Sequence, residues 1–208
     1  MKPGEPVLVF NGRDGEWRAE LGEGGKRATA LTVREQLRPQ VGGPDIDYLF
    51  APLKRARLDY LVQKATEMGV ARLRPVLTRR TTPERVKVER MRANAIEAAE
   101  QCGILRIPEL HALERLERVI AGWDAARPLL FCDEGSELGD PIAALAKLKP
   151  GPVALLVGPE GGFDETERAL LLANPFVTRL SLGPRILRAD TAAVAALTLV
   201  NAVLGDWR

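Results

Sequence analysis

Apolar positions follow one rhythm near the start of the chain and another beyond it. Residues 6–10, 16–21 and 26–33 look like short strands, separated by the glycine-rich turns Asn11-Gly12 and Gly22-Glu23-Gly24-Gly25. Short runs bounded by glycine-rich turns predict three short strands. They form a β-rich module too small to bury much alone. Residues 39–45 hold two glycines and two prolines and read as a linker, dividing the chain into residues 1–44 and 45–208.

After the linker, strand-like and helix-like patterns alternate. Residues 48–51, 74–77, 128–132 and 153–157 are short apolar runs. Leu58, Leu61, Val62, Ala65 and Met68 recur at helical spacing, with Gly69 placed to cap the helix end. Residues 83–101 predict a long helix with Met91, Ala95, Ile96 and Ala99 on its apolar side. Asp164 and Glu167 have the spacing of a capping box ahead of Ala169, Leu170, Leu171 and Leu172. Such alternation predicts an α/β domain with a largely parallel sheet. The last helix, over residues 191–204, is apolar nearly all round. It needs cover on several sides, which predicts a homodimer formed through it.

Two loops interrupt this pattern: Gly158-Pro159-Glu160-Gly161-Gly162 and Leu182-Gly183-Pro184-Arg185-Ile186-Leu187-Arg188. Each follows a strand-like run and leads into a helix-like one. Glycines there let main chain approach a ligand, and a helix start supplies free N–H donors. Neither the dinucleotide fingerprint nor the phosphate-loop lysine is present, and Glu160 would repel an anion. A neutral or cationic ligand, with a ribose and a base edge to hydrogen-bond, suits these loops better.

Composition changes the picture in one place. The total charge is +2, yet residues 54–92 hold 12 Lys and Arg against 4 acids, a local +8 that leaves −6 for the rest. A concentrated positive region is what a phosphate backbone requires of its partner; a solvated arginine-rich helix face is the alternative. With 46% apolar residues the chain can bury a core. Cys102 and Cys132 form no C-x-x-C, so neither zinc nor a redox dithiol is indicated. His111, the sole histidine, leaves little basis for a histidine-dependent triad. No signal segment or membrane-length apolar run occurs, so cytoplasmic residence without metal or membrane is expected.

The two loops resemble those of the RsmE family, SPOUT-class methyltransferases that modify N3 of a uridine in 16S ribosomal RNA. The likeness extends upstream through Lys54, the run from Leu58 to Val70, and Glu97-Ala98-Ala99-Glu100-Gln101-Cys102-Gly103. It implies a trefoil-knotted SPOUT domain over residues 45–208, S-adenosylmethionine as methyl donor, a homodimer, and 16S rRNA or the assembled small subunit as partner. Residues 1–44 become a PUA-like module lacking its first strand and a His-containing helical segment. Many relatives carry an arginine near Ile104 or Leu105, for which Arg106 is the substitute here.

The resemblance assigns Gly158, Glu160, Gly161 and Gly162 to the ribose side of the cofactor, and Leu182, Gly183, Ile186 and Leu187 to the adenine side. Methyl transfer depends chiefly on placing the nucleophile in line, and uridine N3 must also lose its proton. Arg188 is the candidate cation for charge developing on the uracil; a salt bridge across a dimer interface is its alternative. Asp190 is the candidate base, provided burial raises its pKa, with a helix-terminal bond to Thr191 as the alternative. Arg79 and Arg80, with Lys54 and Lys64, are candidate phosphate contacts. The alternative for the whole chain is a catalytically silent RNA-binding protein of ribosome assembly.

Overall fold

The computed structural model describes residues 2–23, 30–81, 86–136 and 139–207. Strands β1 (Pro6–Phe10), β2 (Glu16–Leu21) and β3 (Leu31–Arg38) form an antiparallel sheet in that order. The first two match the expected ranges. The third does not: it begins at Leu31 and continues through polar residues, whereas the pattern placed it at residues 26–33. Residues 26–29, with Gly24 and Gly25 of the expected turn, lie outside the described residues. Opposite charges account for the extension, since Arg34 pairs with Glu20 at 2.7 Å and Arg38 with Glu16 at 2.8 Å. Cross-strand ion pairs of this kind stabilise a ladder that hydropathy does not reveal. Only Gly15 and Ala19 are buried among the described residues up to residue 44, as the small size predicts.

The second sheet is built from β4 (Ile46–Phe50), β5 (Arg72–Leu77), β6 (Glu109–Leu110), β7 (Glu114–Arg115), β8 (Leu129–Cys132), β9 (Val153–Val157) and β10 (Val177–Leu180). Its order is β10-β8-β9-β4-β5-β6, with β7 also on β5, and its pairings are parallel. Every residue of β4 and β9 is buried, as central parallel strands covered on both faces require. The buried Asp47 of β4 is held by Arg72 and, at 3.2 Å, by Arg74.

Helices α1 (Arg55–Glu67), α2 (Val88–Cys102), α4 (Pro141–Leu145) and α6 (Ala189–Val203) contribute to one apolar core. Helices α3 (Leu116–Ala121) and α5 (Glu165–Leu172) contribute to the other. Helix α1 ends with Gly69 at φ +75°, the left-handed turn its position predicts. Helix α2 starts at Val88 rather than 83: Val86 and Lys87 precede it, and residues 83–85 lie outside the described residues. Its buried side is Met91, Ala95, Ala98 and Ala99, with Ile96 only half-buried. The capping box of α5 is complete, since the Glu167 N–H donates to Asp164 at 2.7 Å and the Asp164 N–H to Glu167 at 3.1 Å.

Candidate cofactor cleft

Three loops leave the carboxyl ends of adjacent parallel strands, where ligand crevices of open α/β sheets form. Residues 132–136 follow β8, residues 157–163 follow β9, and residues 180–187 follow β10. Together with Ala189 and Ala192 of α6 they line a cleft of about 430 Å3.

Local chemistry shapes each wall. Gly162 has φ +67°, and a Cβ there would collide with the Glu134 carboxylate. A Cβ on Gly158 would come within 2.5 Å of the Phe163 ring, so both glycines are needed for the loop to fold against its neighbours. Arg80 donates to the Gly161 carbonyl at 2.8 Å. The buried Glu167 accepts the Arg79 N–H at 2.7 Å, joining the end of β5 to α5. In the loop after β8, Asp133 receives both nitrogens of the Arg168 fork at 3.0 and 2.8 Å, and Arg179 at 3.0 Å. Burial pushes the Asp133 carboxyl up, but the Arg168 bonds, the Gly135 N–H and the Arg179 charge outweigh it and hold the pKa below its ordinary range.

The loop after β10 has a different character. Leu182 and Leu187 pack against the core. The main-chain groups of Leu182, Gly183, Arg185, Ile186 and Leu187 make no hydrogen bond among the described residues. Unpaired backbone of this kind is a set of donors and acceptors offered to a ligand edge. Ile186, expected beside them on the adenine side, is 84% exposed and reaches the cleft only as part of its lining.

Seven of the eight predicted cofactor residues line this one cleft; Gly161 belongs to the same loop but is not in the lining, and its carbonyl faces Arg80. The other candidates divide. Arg188 caps α6 from its N-terminus, is exposed, and makes no side-chain hydrogen bond or ion pair among the described residues. Asp190 does not meet the condition for a base. The Arg57 hydrogen bonds, with those of backbone N–H groups, outweigh burial and lower its pKa. A carboxylate so stabilised is a poor proton acceptor, and its bond from the Thr191 N–H at 2.9 Å is the helix-terminal alternative.

Arg80 borders the first loop through Gly161, while Arg79 lies 3.4 Å from Asp164 and 3.8 Å from Glu117. Lys54 stands at the start of α1, exposed. Lys64 lies elsewhere: it pairs with Glu67 at 2.7 Å, about 10 Å along the helix from Arg57 at 1.5 Å per residue. Arg106 serves the linker instead of the cleft, donating to the Pro44 carbonyl at 3.1 Å. Burial pushes the Cys132 thiol up to about 12, so this cleft residue stays protonated and is no nucleophile.

Sequence reasoning missed Arg57. Its only signal was membership in the basic segment, because its partners Glu160 and Asp190 are more than a hundred residues away.

A model of the RNA methyltransferase domain matches residues 42–201. The chain is 30% identical over 206 residues to the ribosomal RNA small subunit methyltransferase E of Rickettsia conorii, covering 97% of this chain and 82% of that protein. The Bacillus subtilis protein of the same name is 28% identical, with 97% and 83% covered. Among solved structures, a methyltransferase from Legionella pneumophila in complex with S-adenosylmethionine superposes with a TM-score of 0.86 at 31% identity, over 99% of this chain and 86% of that one. The Neisseria gonorrhoeae ribosomal RNA small subunit methyltransferase E shares the fold, with a TM-score of 0.83 at 24% identity over 100% and 87%. On these likenesses the chain belongs to the RNA methyltransferase family, and within it to the ribosomal RNA small subunit methyltransferases E.

Proposed function

We propose that this S-adenosylmethionine-dependent ribosomal RNA methyltransferase places its methyl group on N3 of a uridine in 16S rRNA. The observation that carries the reading is the cleft of three strand-end loops, with unpaired main chain on one side and glycine-supported main chain on the other. S-adenosylmethionine supplies a methyl group on a cationic sulfonium, which tolerates Glu134 and Glu160 in the lining where a phosphate would be repelled. Leu182 and Leu187 offer apolar faces to the adenine, and the loop backbone offers bonds to its edge. Gly158, Glu160 and Gly162 line the ribose side.

Arg188 is the cation at the reacting end. Its planar fork at the cleft rim can hold the uracil oxygens as charge develops on them. Favouring the deprotonated uracil in this way eases transfer of the N3 proton to solvent water without an elevated carboxylate. Asp190 takes a structural part. Exposed Arg79, Arg80 and Lys54 hold the phosphates of the RNA.

The remaining architecture follows from the same reading. Strand β10 lies at the sheet edge beyond β8, yet α6 packs back on α1 and β9. The chain must recross the end of β8, which supports a trefoil knot. Helix α6 buries Ala192, Ala193, Ala196, Leu197 and Val200 in its own chain, while Thr191, Thr198 and Ala202 stay exposed. A second copy covers that stripe. The three-stranded sheet is the PUA-like module of a first domain, residues 1–44, that helps hold RNA.

Purified protein, labelled S-adenosylmethionine and small subunits from cells lacking the enzyme test the reading, with nucleoside analysis of the product. Appearance of N3-methyluridine is the expected result. Label on another position would refute the assignment; cofactor binding without transfer would leave a silent RNA binder.

A further inference from the structure

The two cofactor loops make no hydrogen bond to one another among the described residues. They are joined through a third element. Arg57, in the first turn of α1, donates from Nη1 to Glu160 Oε1 at 2.7 Å. It also donates from Nε and Nη2 to the two oxygens of Asp190 at 2.9 and 3.1 Å. One guanidinium thus holds the tip of the loop after β9 and the first turn of α6. Neither Arg57 nor Asp190 lines the cleft.

We propose that Arg57 is a positioning residue that sets both cofactor loops in register, resting on the reading of the cleft as the S-adenosylmethionine site. Three features support the role. The anchor is firm, because Leu61, Val62 and Ala65 of α1 are buried in the core. The charges are matched: one cation faces two carboxylates that would otherwise repel each other. The pair with Asp190 is largely shielded, at 30% and 18% side-chain exposure, and its two-point geometry belongs to the stronger class of ion pairs.

The placement links binding to catalysis. Asp190 lies two residues after Arg188, so the clamp that orients the Glu160 wall also orients the turn carrying the proposed catalytic cation. Lysine could not reproduce it, since an ammonium lacks a planar fork able to span both carboxylates.

The test is calorimetric S-adenosylmethionine binding and steady-state methylation by wild type, Arg57→Ala, Arg57→Lys, Asp190→Asn and the Arg57→Ala/Asp190→Asn pair. Arg57→Ala is expected to weaken cofactor binding about tenfold, as loss of a shielded charge-assisted bond does, and to lower kcat as well. Arg57→Lys should recover only part of the affinity. The double variant should bind no worse than Arg57→Ala alone, because both changes break one contact. Wild-type affinity and kcat in Arg57→Ala would overturn the role, as would additive losses in the double variant. Should Arg57→Ala fail to fold, Asp190→Asn and Arg57→Lys carry the same test; unchanged binding in both overturns it. A wild-type protein that binds no S-adenosylmethionine would instead refute the reading of the cleft.

Discussion

Arg188 and Asp190 stand two positions apart, and their surroundings give them opposite parts. Arg188 is exposed with its guanidinium unpaired among the described residues, whereas Asp190 is committed to Arg57 and Thr191. Replacing Arg188 by Ala should lower kcat by about a hundredfold, the usual loss for one charge-stabilising donor, and leave the cofactor Kd within about twofold. Equal loss in both would place Arg188 in binding. Asp133 yields a pH prediction. Its pKa is lowered in the folded state, so its contribution to stability is full above the ordinary pKa of an aspartate and is lost as pH falls below it toward the folded-state pKa. Acid titrations followed by circular dichroism should show Asp133→Asn less stable than wild type at neutral pH, with the gap narrowing below that value. A constant gap would mean that the fork acts without its charge.

Among the elements, α5 is the case where local chemistry and structure agree most closely. Asp164 to Glu167 carries the spacing of a capping box, and both of its bonds are present. Glu167 also accepts the Arg79 N–H, so the same side chain ties the helix to the end of β5. Asp164→Ala should cost about 1 kcal/mol in urea unfolding, a typical N-cap loss. Glu167→Ala should cost more, since it would leave two N–H donors without their partner. Strand β3 is the opposite case. Its polar stretch carries no hydropathy signal, and only its charged partners on β2 identify it as a strand.

The whole molecule leaves one stripe of α6 uncovered. Thr191, Thr198 and Ala202 are exposed on a helix whose other positions are largely buried or half-buried, and a second copy is the proposed cover. Ala202→Arg should leave the chain folded, because the site is open in the monomer, and should convert the dimer to monomer in sedimentation velocity. A dimer unchanged by that substitution would move the interface elsewhere. The basic segment also resolves at this level. Arg57, Arg72, Arg74 and Arg90 are engaged by carboxylates, while Lys54 and Arg80 remain exposed without an acidic partner among the described residues. The local surplus of charge therefore overstates how many cations are free to meet RNA.

Alternating strand and helix periodicity, the capping box, the apolar last helix and the paired glycine loops were legible in the residues because each rests on neighbours a few positions apart. The loops that carry the eight cofactor candidates were legible the same way, as main-chain-rich turns between a strand and a helix, while their assignment to a cofactor came from the family resemblance. The insertion of β9 between β8 and β4 was not, since strand order is decided by which faces bury together. Nor was the clamp of Arg57 on Glu160 and Asp190, which joins residues over a hundred positions apart. The lowered pKa of Asp190 was hidden for the same reason: it depends on the partner that folding brings to it, and that partner is encoded far along the chain.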